Sequence, residues 1–223
     1  VKGVSTMYNA RGEVRAQWVK TKADEEHRVA RLLDAIQAAS EPLRGILDPV
    51  PPPTGELRAD VLALYPMGDP HFGMYAWADE AGEDFNLEIA ERNLYAAVDQ
   101  LVGLAPPSED ALIINLGDFF HSDNTSNRTS RSGHALDVDT RWAKVLEVGI
   151  RTMRRVIERA LQKHQRVTVF NAVGNHDDHT SIVLSFCLAN LYERDERVTI
   201  DRSPAHYRCV RFGRCLIGIT HGD

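Results

Sequence analysis

The sequence predicts an α/β fold built around one main domain. Apolar segments with the two-residue period of strands alternate with longer segments that have the 3.6-residue period of amphipathic helices. That order is typical of a sheet layered with helices. Four of the predicted strands also end in short polar groups, and ligands of α/β sheets bind beyond the carboxyl ends of strands. A chain of 223 residues is long enough to bury one sizeable core.

The first 47 residues are predicted to form an extension that precedes this domain. Residues 4–20 alternate apolar and polar on both sides of an Asn-Ala-Arg-Gly turn, which predicts a β-hairpin. Residues 23–39 begin with an acidic turn and carry apolar side chains at helical spacing, which predicts an amphipathic helix. The proline-rich residues 48–58 follow as a stiff linker, and the main domain then spans residues 59–223.

Strands and helices alternate through the main domain. Residues 59–67 predict a strand. Residues 85–104 predict a helix, and its apolar face is formed by Leu87, Ala90, Leu94, Val98 and Leu101. The remaining predicted elements are a strand at 110–118, a helix at 140–164, a strand at 166–175, a helix at 180–195 and two strands at 206–212 and 214–223.

Composition narrows the possible classes of function. The chain is 43% hydrophobic and 26% charged, as globular proteins are, and no apolar run approaches the roughly 18 residues of a membrane span. We therefore expect no membrane partner. A formal net charge of −6 argues against a surface that coats nucleic acid broadly. Three cysteines without paired spacing fit a reducing, cytoplasmic compartment better than a disulfide framework.

The four polar groups that close predicted strands read GDPH at 68–71, GDFFH at 117–121, GNHDD at 174–178 and THGD at 220–223. Because the carboxyl ends of such strands meet at one edge of a sheet, we expect these groups to converge. Oxygen and nitrogen donors without sulfur suit manganese, iron or zinc better than calcium or magnesium. The pooled candidate ligands are Asp69, His71, Asp118, Asn175 and His221.

The order D-x-H, G-D, G-N-H-D and H resembles the calcineurin-like metallophosphoesterases, over about residues 60–223. The resemblance implies a four-layer α/β/β/α sandwich, preceded here by the hairpin and helix extension. The family's last motif, G-H-x-H, supplies two further metal ligands. This sequence stops at Asp223 before any such motif, so we expect the natural protein to continue.

The resemblance also implies a role for each candidate ligand. Asp69 and His71 would bind one divalent ion, Asp118 would bridge two ions, and Asn175 and His221 would bind the second. Two such ions would hold a bridging water, lower its pKa and neutralise charge on the phosphorus of a phosphate ester. Mn²⁺ is the favoured ion, with Fe²⁺, Zn²⁺ or Mg²⁺ as alternatives.

The same resemblance implies that His176 contacts the scissile phosphate or protonates the leaving oxygen, and that Asp177 orients the ring of His176. The pairs DPHFG and GDFFH are similar to the D-x-H-L-G and G-D-L-F-H of SbcD-type DNA repair exonucleases, in which the added histidine, here His121, works at the phosphodiester. Arg128 and Arg131, in a loop rich in hydroxyls and amides, are candidate substrate contacts. These features favour a phosphodiesterase or DNA exonuclease.

Several alternatives stay open at this point. The chain could be a phosphomonoesterase of the same superfamily, or a non-catalytic protein of a phage particle or replication complex. His121 could be a polar residue at the strand exit. Arg151, Arg155 and Arg159 share one helical face, which predicts a solvated surface more strongly than a DNA contact. The N-terminal region resembles phage-encoded proteins, which places the chain in a bacterial or phage-infected cell, and no protein partner is indicated.

Overall fold

The structure is a computed structural model, and its contacts divide the chain into two units, Val1–Pro42 and Leu43–Asp223. The helix predicted at residues 23–39 lies outside the described part of the chain, and the domain boundaries at residues 47 and 58 stay predictions. The described residues are 3–9, 11–20, 45, 47–129, 132–203 and 205–222.

The first unit contains the predicted β-hairpin. Strands β1 (Gly3–Tyr8) and β2 (Val14–Lys20) pair in antiparallel fashion. The side-chain oxygen of Asn9 accepts hydrogen bonds from the backbone N–H groups of Arg11 and Glu13, at 2.9 and 3.0 Å. An asparagine that bonds to the backbone two residues ahead is a standard turn former, and it explains where the hairpin reverses.

The second unit is built on a four-stranded parallel sheet, as expected for an α/β protein. Its strands are β3 (Arg58–Met67), β4 (Ser108–Asn115), β5 (Arg166–Asn171) and β6 (Val198–Ile200), and they lie side by side in that order. β6 was not predicted from the sequence, because three residues are too few to show a strand period.

Helices connect these strands. A short α1 (Ala78–Ala81) precedes α2 (Leu87–Leu104), α3 (Trp142–Leu161) and α4 (Thr180–Leu191). Residues from α2, α3 and α4 share one apolar core with the sheet. Strands that advance in one direction through right-handed crossovers place every connecting helix on the same face, so this arrangement follows from the strand order.

The buried face of α2 differs from the prediction at one position. Leu87, Ala90 and Val98 are buried as expected, but Leu101 is 45% exposed and Val102 is fully buried instead. Val102 follows Val98 by four residues, which keeps it on the same helical face. The helix starts at Asn86, whose side chain accepts a hydrogen bond from the N–H of Ile89 at 2.9 Å.

The second face of the parallel sheet is covered by an antiparallel pair, β7 (Arg208–Phe212) and β8 (Cys215–Ile219). Buried Ile219 packs with Leu112 and Ile114 of β4. The described residues thus form three layers: helices, a parallel sheet and a two-stranded sheet. None of the described helices covers the outside of β7 and β8, so the four-layer sandwich stays a prediction.

The proline-rich segment has no regular secondary structure, yet its start is held by the second unit. Leu47 and Val50 pack against the main core. The carbonyl of Val50 accepts a hydrogen bond of 2.6 Å from the guanidinium of Arg197. No helix in the described part of the chain is long and apolar enough to span a membrane.

A buried polar chain links β3, the start of β4 and the residues before β5. His164 is fully buried between Tyr65 and Ser108. The Ser108 hydroxyl donates to the carbonyl of Asp110, so it accepts from Nδ1–H of His164, and Tyr65 donates to Nε2 across 2.6 Å. Burial lowers the pKa of His164, which stays neutral.

Candidate metal centre

The register of the parallel sheet brings the predicted polar groups to one level. Met67 of β3 lies opposite Asn115 of β4, and Asn115 lies opposite Asn171 of β5. The three polar groups that follow these strands therefore start at the same edge of the sheet. The fourth group follows β8, which packs on the same sheet, and His221 completes the convergence.

The backbone at this edge adopts conformations that most residues avoid. Asp69, His71 and Asp118 have φ angles of +47°, +45° and +49°, in the left-handed region. Non-glycine residues rarely occupy it, and such strain persists only where the surrounding structure enforces it, most often at functional sites. Among the described residues only Asn127 shares this property without being glycine. Three of the predicted metal ligands are thus held in unusual conformations.

Two glycines permit the close approach of the site segments. A Cβ atom at Gly174 would lie 2.1 Å from a carboxylate oxygen of Asp118. A Cβ atom at Gly117 would lie 2.6 Å from Nδ1 of His221. Any side chain at these positions would overlap a candidate ligand or the backbone beside it, which explains the glycine that opens the second and the third polar group.

Asp118 lies at the centre of the candidate site. One of its oxygens accepts a hydrogen bond of 2.8 Å from the backbone N–H of His176. The other oxygen is 3.6 Å from Nε2 of His221 and 4.0 Å from Nε2 of His71. Those separations are too long for direct hydrogen bonds, but they suit two ligands that each lie about 2.1 Å from a shared ion.

His221 presents a lone pair to this carboxylate. Its Nδ1 lies 2.9 Å from the carbonyl oxygen of Leu116, and a carbonyl only accepts, so Nδ1 carries the proton. Nε2 then faces the amide oxygen of Asn175 at 3.2 Å and the oxygen of Asp118 at 3.6 Å. In this tautomer three electron-rich atoms converge with no hydrogen between them, an arrangement that a bound cation would satisfy. Asp69 supplies a further carboxylate to the group.

A second group of possible ligands consists of three imidazoles. Nitrogen atoms of His71, His121 and His176 lie close enough together to hold one metal ion. Nδ1 of His121 is 3.2 Å from Nδ1 of His71, and the ring centroids of His71 and His176 are 4.8 Å apart. The resemblance implies that His121 and His176 act on the substrate, so their grouping with His71 is a finding of the structure.

The two imidazoles whose pKa values are shifted are biased towards the neutral form that binds metals. Burial, followed by the charge of His176, lowers the pKa of His71. Burial, followed by His71 and His176, lowers the pKa of His121 to about 4. A metal ion needs deprotonated imidazole nitrogens, so these side chains present the required form at neutral pH without further proton loss.

Asp177 has a different role from the one the resemblance implied. Its carboxylate is fully buried and accepts backbone hydrogen bonds from Phe119, Phe120 and Gly174 at 2.9, 3.3 and 3.1 Å. The ring of His176 is oriented instead by the carbonyl of His121, at 2.8 Å from Nδ1. Burial raises the pKa of Asp177 to about 7. Asp177 therefore joins the segments after β4 and β5 rather than orienting His176.

The structure adds a pair that the motifs did not indicate. The carboxylate of Asp123 is almost completely buried and accepts hydrogen bonds from both N–H groups of His179, at 3.1 Å from the backbone and 2.5 Å from Nδ1. It also accepts from the backbone and hydroxyl of Thr180, at 2.7 and 2.6 Å. These bonds fix the start of α4 beside the imidazole group. An Asp two residues after His121 gave no signal that it would pair with His179.

The predicted basic contacts lie elsewhere. Arg128 donates to the carbonyl of Gly133 at 2.8 Å and so braces its own loop, and Arg131 lies outside the described residues. On α3, Arg151 pairs with Glu91 of α2 at 2.8 Å. Its neighbours on that face behave in the same way: Arg159 pairs with Asp99, and Arg155 lies over the ring of Tyr95. This face joins two helices.

Comparison of the chain with protein-family models, curated proteins and solved structures found no match. The resemblance to metallophosphoesterases therefore remains a prediction that depends on four short motifs. What the structure adds is the placement of these motifs: carboxylate, amide and imidazole donors meet at one edge of a parallel sheet and form two groups that could bind metal ions.

Proposed function

We propose that the protein is a metal-dependent phosphoester hydrolase of the calcineurin-like metallophosphoesterase type, and that its substrates are phosphodiesters, with DNA the favoured one. The observation that carries this proposal is the convergence of three lone-pair atoms from Asp118, Asn175 and His221 beside a second group of imidazoles. Two adjacent donor groups that meet at one carboxylate suit a pair of divalent ions. Oxygen and nitrogen donors favour Mn²⁺, with Fe²⁺, Zn²⁺ or Mg²⁺ as alternatives.

Each candidate ligand has a defined place in this proposal. Asp118 would serve both ions, since one of its oxygens lies 4.0 Å from Nε2 of His71 and 3.6 Å from Nε2 of His221. Asp69, whose side chain is 61% exposed, would complete the site from the solvent side. Divalent ions bound there would polarise a phosphate ester and lower the pKa of a water molecule.

The imidazoles have their own tasks towards the substrate. Nδ1 of His176 donates to the carbonyl of His121, which fixes the ring. In this proposal His71 would hold the ion on this side, and Nε2 of His176 would bond with a phosphate or leaving oxygen. Asp177 keeps the backbone of both site segments in place through its three N–H contacts. A fixed ring aligns the donor with the oxygen before the reaction and so lowers the entropic barrier.

The charge around the imidazoles favours a diester over a monoester. A phosphomonoester carries about two negative charges near neutral pH, as phosphorylated side chains do, whereas a diester carries one. Among the described residues, no Lys or Arg contacts the ligand groups, and the imidazoles of His71 and His121 have lowered pKa values. The two divalent ions of this proposal would supply most of the positive charge, and the protein's own side chains add little of the further charge that a doubly charged monoester would favour.

Two substitutions test the proposal. Asp118→Asn removes the central negative charge with little change in shape, and we expect weaker Mn²⁺ binding together with at least about a 100-fold lower rate. Asp60→Asn is the matched control, because Asp60 is an exposed carboxylate whose one ion pair within the described residues is with Arg58. Metal binding is measured by calorimetry, and hydrolysis is followed with bis-p-nitrophenyl phosphate, p-nitrophenyl phosphate, and single-stranded and duplex DNA.

The outcomes separate the alternatives. Hydrolysis of the diester and DNA that is lost in Asp118→Asn supports the proposal. Hydrolysis of the monoester alone would make the protein a phosphomonoesterase. Tight Mn²⁺ binding without hydrolysis of any substrate would point to a non-catalytic protein that keeps the fold. An Asp118→Asn variant with an undiminished rate would remove Asp118 from the site.

A further inference from the structure

A pocket of about 600 Å³ lies between the loop that follows β4 and the start of α3. Its volume falls within the range of pockets that hold small organic ligands, roughly 300–1,000 Å³. None of its lining residues was singled out by the sequence motifs. The residues that matter here are Thr125, Asn127, Val138, Thr140, Arg141 and Trp142.

The polar side chains of this pocket are unengaged. Within the part of the chain that the structure describes, the side chains of Thr125, Asn127 and Thr140 make no hydrogen bond. Their neighbours outside the pocket do: Ser122 donates to the carbonyl of Asn124, and Thr129 bonds with Ser132. Polar groups that converge on a cavity without internal partners are typical of a binding site.

Trp142 adds an unsatisfied donor. Its Nε1–H is buried and has no hydrogen-bond acceptor among the described residues. Burying such a donor without a partner costs about 1–3 kcal/mol, a cost that a suitable acceptor in a ligand would remove. The residue lines both this pocket and a narrow recess beneath it, where Asn127, Val138 and Thr140 also lie.

The charge of the pocket favours an anion at its rim. Arg141 is exposed and forms no ion pair with any described residue. It is the only charged residue in the lining, and the first turn of α3 contains no acidic residue. A free guanidinium beside uncharged amide and hydroxyl groups matches a ligand with one phosphate and a polar, uncharged body.

The pocket continues towards the candidate metal centre. The narrow recess is also lined by Phe72, Gly73 and Ser122. Phe72 directly follows His71 in the chain, and Ser122 directly follows His121. The recess beneath the pocket therefore lies against the two segments that carry His71 and His121.

We infer that this pocket binds a nucleotide unit of the substrate next to the one that is cleaved, with the base of that unit against Trp142 and its own phosphate at Arg141. The inference rests on the proposed function, which places the cleaved phosphate at the metal centre. A nucleobase presents both donors and acceptors at its edges, and Asn127, Thr125 and Thr140 offer both kinds of group. An aromatic side chain that stacks on a base contributes about 1–3 kcal/mol.

The test compares probes with and without a base. The full chain, kept in a chelator so that nothing is hydrolysed, is titrated by calorimetry with the dinucleotide TpT, with its abasic analogue and with inorganic phosphate. We expect TpT to bind at least about tenfold more tightly than the abasic analogue. Trp142→Phe, which lacks the N–H, and Arg141→Gln should each weaken TpT binding several-fold, whereas Trp77→Phe, at an exposed residue outside the pocket, should not.

The outcomes keep this inference separate from the proposed function. Equal affinity for TpT and the abasic analogue, or for TpT and inorganic phosphate, overturns the inference. So does unchanged TpT binding in Arg141→Gln, an exposed substitution that leaves the core intact. The same preparation is assayed with Mn²⁺ and bis-p-nitrophenyl phosphate, a diester without a base. Hydrolysis of this diester together with TpT binding that does not depend on the base would contradict only the nucleotide pocket. Absence of hydrolysis would argue against the proposed function.

Discussion

Gly174→Ala tests whether the segments after β4 and β5 approach each other as closely as the structure has them. The new Cβ would lie 2.1 Å from a carboxylate oxygen of Asp118 and 2.3 Å from its backbone nitrogen, whereas ordinary contacts begin at 3.4 Å. Gly174 does not have a positive φ, so alanine is compatible with its backbone and the effect is steric. Asp118 must retreat by about 1 Å, and a displacement of about 1 Å costs about 100-fold in rate.

The stability change follows from the same geometry. Moving the carboxylate breaks its 2.8 Å hydrogen bond from the N–H of His176. A hydrogen bond to a charged group contributes about 1.5–3 kcal/mol. For a domain of this size each kcal/mol corresponds to about 2–4 °C, so we expect the melting temperature to fall by about 3–12 °C. Calorimetry with Mn²⁺ should show weaker binding by about 10–100-fold, as for other losses of support around a metal ligand.

Gly103→Ala is the matched control, because Gly103 lies in α2 and nothing is within 4 Å of its new Cβ. Alanine is the better helix former by up to about 1 kcal/mol, so this variant should melt at or slightly above the wild-type temperature and bind Mn²⁺ normally. A Gly174→Ala protein that matches wild type in both melting temperature and Mn²⁺ affinity would refute the close approach and the centre built on it.

Three further perturbations test other parts of the fold. Asp123→Ala removes the acceptor of four hydrogen bonds at the start of α4 and should lower the free energy of unfolding in urea by about 2–4 kcal/mol. Burial holds the pKa of His164 below its ordinary 6.5. As the pH falls, the unfolded chain therefore binds a proton at this residue more readily than the folded chain does, and the wild type loses stability. His164→Gln lacks this group and should lose less stability between about pH 7 and 5.5. Arg151→Ala breaks a partly exposed ion pair with Glu91, should change unfolding by less than about 1 kcal/mol, and should leave DNA affinity in a filter-binding assay unchanged.

Each of these has a contrary result. Unchanged unfolding of Asp123→Ala would mean that the buried carboxylate does not hold the start of α4. An identical pH dependence for wild type and His164→Gln would show that the buried imidazole titrates normally. Loss of DNA binding in Arg151→Ala would mean that the arginine face of α3 contacts nucleic acid, and it would contradict the view that this face serves to pair with α2.

The framework of the fold was accessible from the sequence because it depends on local patterns. β3, β4 and β5 are apolar segments followed within three residues by glycine and polar residues, and α2 and α3 have clear helical periods. β6 has three residues and takes its conformation from pairing with β5, a contact that no local pattern encodes. The exposure of Leu101 likewise depends on how α2 is rotated against the sheet.

The convergence of the candidate ligands was predictable from the sequence, but its detail was not. Residues at strand ends converge by topology, so Asp69, His71 and Asp118 could be grouped without coordinates. The roles of Asp177 and His179 depend on how the segments after β4 and β5 meet. Asp177 accepts a hydrogen bond from the backbone N–H of Phe119 in the segment after β4, and His179 bonds with the side chain of Asp123 in that same segment. The pocket at Trp142 escaped prediction for the same reason, since its walls come together only in three dimensions.

The two-stranded sheet has a consequence for how the centre comes into existence. His221 follows β8 and reaches Asp118 only when β7 and β8 are docked on the parallel sheet, through a small cluster around Ile219. Whatever ion binds at His221 therefore favours the docked state, and docking raises affinity for the ion by the same factor. The stability of the docked β7–β8 hairpin therefore reports how much ion is bound. Hydrogen exchange of the hairpin amides should slow as Mn²⁺ is added, while exchange of the β4 amides remains unchanged.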